Sequence, residues 1–453
     1  MSQTDKTTMI KRLSLYLLGL IITFLLIVKA INLSIFDEQP SEGVTQVMKP
    51  YQMPPASQNA YFYLFGMQSA ASRDPHSTGQ RLEERYRHNR DNLGKDELSD
   101  DDYNEILGAT GLDKEWTERF ERCRSRTEEG CLQKILTQLD DLNFEAPRLS
   151  LMLERYQTLI KFRDYSFPNG FTFYSPLPGY AAPMSLQQLT LAKAFQSGLS
   201  TRFISAVDKD LRFWRMILDK GSSLIDKMVA IAAIWNDLKY LSDFMNLREL
   251  NDSDKEQLAN ILTGLSAQEK DISEAFILEA ASMYRQLENI SDEELESFFE
   301  SSNWLMNQLI QINATNNDHY RLFLAPILEL SKLDSQAFYK SLPEGSSKFE
   351  DRVKLSLSPS NLYNLGGKLL LQNSGWMASD YIARVHDLNG MFALVSLQLS
   401  LDGLSDDSIA STINSSQYRN PYTGKPFTYN ETTKELGFEC MNKESSCKIK
   451  LSH

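Results

Sequence analysis

The sequence predicts a mainly α-helical protein with an N-terminal transmembrane helix, an irregular multi-helix bundle and a small C-terminal β-hairpin region. Three observations support this fold class. The chain carries no charged residue from Leu13 to Val28. Over most of its length, apolar residues recur at spacings of three and four, which is the period of an amphipathic helix. After residue 420 the pattern changes to short alternating runs, which are typical of strands.

The N-terminal apolar run is long enough to cross a membrane. Residues 13–36, taken as one helix, span a hydrocarbon core at about 1.5 Å per residue. Positive charge tends to stay on the cytoplasmic side, so we expect residues 1–12 to be a cytoplasmic tail and the rest to be exported. The charges behind this orientation are Lys6, Lys11 and Arg12 before the run, and Asp37 and Glu38 after it.

A cleaved signal peptide is the alternative for the same segment. Val28-Lys29-Ala30 weakly resembles a small-residue cleavage site. The lysine inside that site and the apolar residues that continue after it favour an uncleaved anchor at 13–36.

The exported part divides into three regions. Residues 37–57 contain four prolines and are expected to form a stiff polar spacer. Residues 58–400 are expected to form the helical body, which begins with an aromatic run at 59–67. Residues 401–453 are expected to be a β tail, in which Phe427 and Tyr429 pair with Leu436 and Phe438 across a turn at 430–434.

One segment of the body interrupts the helical pattern. Residues 165–184 hold four prolines among aromatic residues, which neither a continuous helix nor a central strand tolerates. We therefore expect an extended loop. A loop that covers the core is favoured over a peptide-binding groove.

Helix boundaries in the body carry capping signals. Ser266 with Glu269, and Ser291 with Glu294, have the capping-box spacing, and Gly221 separates two apolar stripes. Short connections between successive stripes predict antiparallel neighbours. Since no fixed-period repeat is found, an irregular bundle is favoured over a repeat array.

The four cysteines form two local pairs, Cys123 with Cys131 and Cys440 with Cys447. In an oxidising compartment such pairs predict two short-loop disulfides. A metal site is the alternative. The spacings are not Cys-x-x-Cys and no histidine lies near either pair, so disulfides are favoured.

Composition and motifs exclude several function classes. The 453-residue chain has a net charge of −13, whereas nucleic-acid binding requires a basic surface. The sequence lacks the motifs of phosphate-binding loops, zinc hydrolases and serine hydrolases. We expect His76 and His88 to be solvated and His319 to serve an N-terminal helical turn. No two histidines have metal-ligand spacing, so neither a metal nor a cofactor is expected.

A polar cluster interrupts the last long apolar helix. Arg384 lies three residues before Asp387 and four after Asp380, so a charge network is expected there. A catalytic interpretation makes His386 a general base that a carboxylate orients. A structural interpretation makes the cluster a polar contact that holds the C-terminal hairpin to the bundle. The structural interpretation is favoured, because neither a nucleophile nor an oxyanion site is evident.

The two ends of the chain supply a resemblance. The string Pro421-Tyr-Thr-Gly-Lys-Pro-Phe-x-Tyr429 follows a helix that contains Tyr381-x-x-Arg-x-x-Asp-Leu-x-Gly390, and the chain opens with the segments at 59–67 and 74–79. Together these segments resemble uncharacterised, single-span, periplasm-facing envelope proteins of Gram-negative bacteria. The resemblance implies an inner-membrane protein with a cytoplasmic N-terminus and a periplasmic body. It carries no established activity.

Three function hypotheses follow. The first is a non-enzymatic binding, scaffold or chaperone function toward another envelope protein. The second is an enzyme that acts on envelope glycan or peptidoglycan with carboxylates as acid and base. The third takes the six Asn-x-Ser/Thr sites, among them Asn289 and Asn313, as marks of a eukaryotic type II membrane protein. Chance accounts for most such matches in a chain with many asparagines.

Overall fold

The structure, a computed structural model, describes residues 3–50, 55–93, 98–99, 101, 120–168, 175–289, 309–342, 361–373 and 378–452. It is mainly helical with a small antiparallel sheet near the C-terminus, so the predicted fold class is confirmed. The α-helices are α1 (Gln3–Ile31), α2 (Glu42–Val47), α3 (Ala60–Gly66), α4 (Pro75–Leu93), α5 (Cys131–Leu136), α6 (Pro147–Leu159), α7 (Ala181–Gln196), α8 (Ser200–Lys220), α9 (Leu224–Leu247), α10 (Asp252–Ile261), α11 (Ala267–Lys270), α12 (Ser273–Asn289), α13 (Ile312–His319), α14 (Ala325–Leu330), α15 (Ser335–Ser341), α16 (Leu365–Asn373), α17 (Ala378–Leu401) and α18 (Asp406–Ser415).

The remaining regular elements are short. Single turns of 3₁₀-helix lie at Ser34–Phe36, Ala56–Gln58 and Leu139–Asp141, and a π-helical turn lies at Tyr320–Leu324. The strands are β1 (Thr428–Asn430), β2 (Glu435–Gly437) and β3 (Lys448–Lys450). The chain divides into two compact units, one built from 1–49, 280–327 and 342–376, and the other from 50–279, 328–341 and 377–453.

Helix α1 contains a stretch, Arg12–Ile31, that is long and apolar enough to cross a membrane. Its side chains from Arg12 to Ile27 are exposed. The helix ends at Ile31 and does not continue to Phe36 as predicted. The reason is Asn32, whose side-chain amide donates to the carbonyl of Val28 and to the carbonyl of Leu362, both at 2.8 Å.

The first part of the predicted stiff polar spacer, 37–57, is hydrogen-bonded to other residues of the first unit. The Asp37 carboxylate accepts hydrogen bonds from the backbone N–H groups of Asn313 (2.9 Å) and Ala314 (3.0 Å), in the first turn of α13. Unpaired N–H groups at a helix start favour such a carboxylate. The backbone N–H of Ser41 donates to Asn317 (2.7 Å), and the short helix α2 follows. The spacer prediction missed these contacts because they join residues far apart in sequence.

Asn364 completes this attachment within the first unit. Its backbone N–H donates to the Asn32 side chain (2.7 Å), and its own side-chain oxygen accepts from the Gln311 backbone (2.9 Å) and the Thr315 hydroxyl (3.0 Å). Asn364 adopts a positive φ of 54°, a conformation that asparagine tolerates better than most residues. The Gln311 side chain also donates to the Asn32 carbonyl.

The expectation for His319 is wrong. The residue ends α13 and is fully buried, with its Nδ1 at 3.0 Å from the Tyr284 hydroxyl and its ring stacked on Phe323. Burial lowers the pKa of His319 to about 3, so the imidazole is neutral at physiological pH.

Helix α9 is the centre of the second unit. It packs against α8, which precedes it across a three-residue connection, and against α5, α7 and α17. Trp214 on α8 and Trp235 on α9 are among the largest fully buried side chains. The capping box of Ser266 and Glu269 is present, whereas the one predicted at Ser291 and Glu294 lies outside the described residues.

In its described parts, 165–168 and 175–180, the aromatic and proline-rich loop packs largely against the core. Tyr165 and Phe167 are buried, and the Phe167 ring lies 4.8 Å from that of Tyr61. The hydroxyls of Tyr165 (2.6 Å) and Tyr180 both donate to the Asp226 carboxylate at the start of α9. The loop ends earlier than predicted, because α7 begins at Ala181 and a helix tolerates proline in its first turn.

The C-terminal sheet has the order β1-β2-β3, and all its pairs are antiparallel. Tyr429 faces Leu436 across the predicted turn, which closes with Lys434 at a φ of 57°. The predicted β tail at 401–453 begins differently, since α18 occupies its first part. Ser405 and two aspartates mark that helix start in the sequence.

A buried polar network lies among α6, α7, α8 and α9. Asp210 accepts hydrogen bonds from the Tyr156 hydroxyl (2.5 Å) and the Gln187 amide (2.7 Å), and the same amide donates to Asp237 (3.1 Å). Burial raises the pKa of Asp210 to about 6, and burial together with the Asp210 charge raises the pKa of Asp237 well above its usual value. We infer that Asp237 is protonated at neutral pH and donates to Asp210.

Replacing Asp237 tests whether its carboxyl group is protonated. Asp237→Asn is expected to be at least as stable as the wild type at pH 7, because its amide can donate to Asp210 while its oxygen accepts from Gln187. A raised folded-state pKa stabilises the wild type below the unfolded pKa of 3.8, and this stabilisation is lost as pH rises through the folded pKa. The free energy of unfolding of the variant, relative to the wild type, should therefore increase from pH 4 to pH 8 in denaturant titrations.

Asp210→Asn is the matched control. Its amide N–H group would face a donor on Tyr156 or on Gln187, so a loss of roughly 2–4 kcal/mol is expected. Equal losses of unfolding free energy in the two variants would contradict the assignment of the proton to Asp237.

Candidate functional site

Both predicted cysteine pairs are bonded in the structure. Cys123 is joined to Cys131 and Cys440 to Cys447, each with a Cα–Cα distance of 5.5 Å. The first disulfide closes the loop before α5, and the second closes the connection between β2 and β3. Short-loop disulfides of this kind persist in oxidising compartments.

The two disulfide-closed loops contact each other. The Arg126 carbonyl accepts from the Ser446 backbone N–H (2.6 Å), and the Arg126 guanidinium donates to the Ser445 hydroxyl (3.0 Å) and the Asn442 side chain (3.4 Å). Residues more than 300 positions apart thus form one surface.

Asp387 on α17 fixes the second of these loops. Its side chain is fully buried and accepts from the Tyr422 hydroxyl (2.5 Å) and the backbone N–H groups of Met441 (3.0 Å) and Asn442 (2.9 Å). Burial raises the pKa of Asp387 to about 6, while the three hydrogen bonds oppose that rise. The carboxylate therefore joins α17 to the loop that Cys440 and Cys447 close.

The candidate residues Arg384, His386 and Asp387 do not converge on one point. His386 is buried against α15, with its Nδ1 2.9 Å from the Ser335 hydroxyl and its ring 4.9 Å from that of Phe338. Burial lowers the pKa of His386 to about 4. Arg384 pairs with Glu444 (3.0 Å), where the sequence predicted a network with Asp380 and Asp387. This geometry favours the structural interpretation of the cluster.

Within the described residues, one group brings metal-ligand atoms together: Asp387, Cys440 and Cys447, all within 4.8 Å of one another. The two sulfurs are bonded to each other, so neither offers a thiolate. Asp387 is already held by three donors. The group does not suit a metal ion in this oxidised form.

Next to the disulfide loops lies a groove formed by two cavities, of about 640 Å³ and about 570 Å³. The cavities share the lining residues Arg122, Met184 and Ala232, so they lie side by side. Helices α7 and α9 supply the floor, the first disulfide loop supplies one wall, and α17 with the second disulfide loop supplies the other residues. The apolar floor residues are Ala181, Met184, Leu224, Ile225, Met228, Val229 and Ala232.

The groove carries positive charge in an acidic protein. Four arginines line it, against two glutamates, and both glutamates are already paired: Glu121 with Lys134 (3.1 Å) and Glu444 with Arg384 (3.0 Å). The arginines are Arg122, Arg124, Arg126 and Arg384. Burial and the nearby charge of Arg384 lower the pKa of Arg126.

Comparison of the chain with protein-family models, curated proteins and solved structures finds no match. This is consistent with the resemblance seen in the sequence, which carries no established activity.

The sequence pointed to Arg384 and, through the less favoured groove alternative for 165–184, to Ala181 and Met184, which line the smaller cavity. Nothing in the sequence distinguishes Arg122 and Arg126 from other arginines, and Met228 belongs to an ordinary apolar stripe. The cysteine spacing was a further signal, because it identified both loops. It could not show that the two loops meet.

Asp387→Ala tests how much the second disulfide loop depends on this carboxylate. The substitution leaves three donors unpaired, so we expect the free energy of unfolding to fall by about 3 kcal/mol. Tyr422→Phe removes one donor only and should cost about 1 kcal/mol. Urea unfolding of the oxidised protein measures both.

The catalytic interpretation would be favoured by a different pair of results. Asp387→Ala could cost no more stability than Tyr422→Phe and still abolish the function of the protein in cells. In that case the carboxylate has a catalytic role and does not hold the loop.

Proposed function

We propose that the protein is a membrane-anchored binding protein of the cell envelope, and that its groove binds an extended segment of another envelope protein. A scaffold or a chaperone would use such a site. The observation that carries the proposal is an exposed apolar floor between two disulfide-closed loops.

The groove floor leaves apolar surface in contact with water. Ile225 is 39% exposed, and Met184, Met228 and Val229 are half-buried. Covering such a surface releases free energy in proportion to the apolar area removed from water. Methionine side chains are flexible and pack against ligands of varied shape. This floor supports binding of apolar side chains from a partner.

The walls support a peptide segment in particular. An extended chain needs apolar contacts for some side chains and polar contacts for its backbone, and the larger cavity offers both. Its polar wall residues include Ser125, Thr127 and Asn236. Ser125 Oγ is buried and has no hydrogen-bond partner among the described residues.

Anchoring by an uncleaved α1 is part of the proposal. Val28 and Asn32 are buried, and Asn32 joins Val28 to Leu362. Cleavage near Ala30 would separate Val28 from these contacts, so the geometry supports a retained helix over a signal peptide. The positive-inside rule and the two disulfides support a cytoplasmic N-terminus and a periplasmic body in the inner membrane.

The mass of the protein extracted from cell membranes tests the anchor. An intact mass that includes residues 3–30 is expected. A mature protein that begins near residue 31 and is released without detergent would contradict anchoring.

Acid–base catalysis on a glycan has less support than binding. Asp210 and Asp237 form a close carboxyl pair, but both are fully buried and held by Tyr156 and Gln187. Glycosidase carboxylates must flank a bound sugar. Among the described residues, those that line the groove offer arginines and paired glutamates.

Site-specific photocrosslinking in intact cells tests the binding proposal. A photoreactive amino acid at Ile225 is expected to give a discrete adduct with another envelope protein. Ala232→Trp should abolish the adduct, because Ala232 lines both cavities and the larger side chain fills the groove.

Two controls make the result decisive. The probe placed at Lys209, on the exposed face of α8, should give no adduct, and Ser205→Trp on the same helix should leave the Ile225 adduct unchanged. An adduct that survives Ala232→Trp, or the absence of any adduct at Ile225, contradicts binding in the groove.

A further inference from the structure

The ion pair of Arg384 and Glu444 lies where the two cavities of the groove meet. Glu444 lines the larger cavity and Arg384 lines the smaller one. A segment that occupies both cavities would lie beside this pair.

The two partners are held very differently. The Arg384 side chain is 19% exposed and its guanidinium lies over the Tyr381 ring, 5.3 Å from the ring centre. Glu444 is 75% exposed. An exposed carboxylate gains little from such a pair, because water and salt screen the attraction. Arg384 is thus the fixed partner and Glu444 the exchangeable one.

Glu444 also uses the guanidinium incompletely. It bonds to Nη2 alone, at 3.0 Å. Nε of Arg384 is buried and has no hydrogen-bond partner among the described residues. Carboxylates bind guanidinium most strongly when they accept from two adjacent donors at once. A carboxylate that used Nε and Nη2 together would satisfy the donor that Glu444 leaves unpaired.

The surrounding charge favours a further anion. Arg126 lies close to Arg384, and its donors are directed to Ser445 and Asn442, which are neutral. Asp387 and Glu444 both act electrostatically on Arg126 and offset part of this charge, but four arginines line the groove against these two carboxylates and that of Glu121, which pairs with Lys134. Arg122 lines both cavities.

We propose that the groove recognises an acidic peptide segment, one of whose carboxylates replaces Glu444 on Arg384 while flanking apolar side chains cover the floor of Met184 and Met228. The inference rests on the proposed binding function and names the chemistry of its ligand. Glu444 occupies the position of the ligand carboxylate in the free protein.

Peptide binding to the oxidised full-length protein in detergent micelles tests this. The probes are three labelled decapeptides, of alternating Leu and Glu, alternating Leu and Gln, and alternating Ser and Glu. The Leu/Glu peptide is expected to bind at least about tenfold more tightly than the other two, because it alone satisfies both the floor and Arg384.

Two variants separate the role of the ion pair from that of general charge. Glu444→Gln should tighten Leu/Glu binding about three- to tenfold, since the competing carboxylate is gone, and Arg384→Gln should reduce it to the level of Leu/Gln. Glu439→Gln is the matched control, because Glu439 is an exposed carboxylate one residue before the same disulfide loop and pairs with Lys443. Glu439→Gln should leave the affinity for the Leu/Glu peptide unchanged.

The outcomes distinguish the inference from the function on which it rests. Equal binding of Leu/Glu and Leu/Gln, both abolished by Ala232→Trp, overturns the acidic specificity and leaves the groove function standing. Peptide binding that Ala232→Trp does not affect, or none at all, overturns both. Laurate binding that Ala232→Trp abolishes, in the absence of peptide binding, overturns both in favour of a lipid ligand.

Discussion

The groove depends on the buried carboxylate of Asp387. Its two oxygens accept one hydroxyl and two backbone N–H groups, and these bonds hold the loop of Cys440 and Cys447 against α17. A buried acceptor that serves three donors is costly to remove, because each donor would be left without water. Helix α17 can therefore present Arg384 on the groove side while the same turn fixes the loop that carries Glu444.

The first disulfide loop is held in place through its hydrogen bonds to the second disulfide loop. Arg126 bonds to Ser445, Ser446 and Asn442, so the loop closed by Cys123 and Cys131 is held by the loop that Asp387 holds. Each disulfide restricts its own loop locally. The polar contacts between the loops then bring the arginines to the edge of the apolar floor on α7 and α9. The site is thus built from short, oxidised loops on a rigid helical support.

Local features of the chain were predictable because their causes are local. Cysteines eight and seven residues apart, the capping box at Ser266 and the turn before Lys434 each follow from spacing within a few residues. The attachment of residues 32–41 to α13 and Asn364 was not predictable, because it depends on hydrogen bonds across more than 270 positions. The assembly of the groove was missed for the same reason, since its residues come from five separate segments.

Some of the missed features did have a signal. Asp210 lies in the apolar stripe of Val207, Leu211 and Trp214, and Asp387 lies in an almost wholly apolar helix. An acidic residue at a core position indicates a buried hydrogen-bond network, since an unpaired charge would not be tolerated there. The pattern identifies such a residue, but only the fold shows that Asp210 meets Asp237 and that Asp387 meets Asn442.

The most direct measurement of the central claim is the location of a bound peptide on the oxidised full-length protein. With methionine methyl groups labelled for NMR, the alternating Leu/Glu decapeptide should shift the resonances of Met184 and Met228. It should also show nuclear Overhauser effects to both methyl groups. The resonances of Met152 and Met391, which are buried in the core, should stay in place. A bound peptide that leaves Met184 and Met228 unchanged would contradict the assignment of the groove as the binding site.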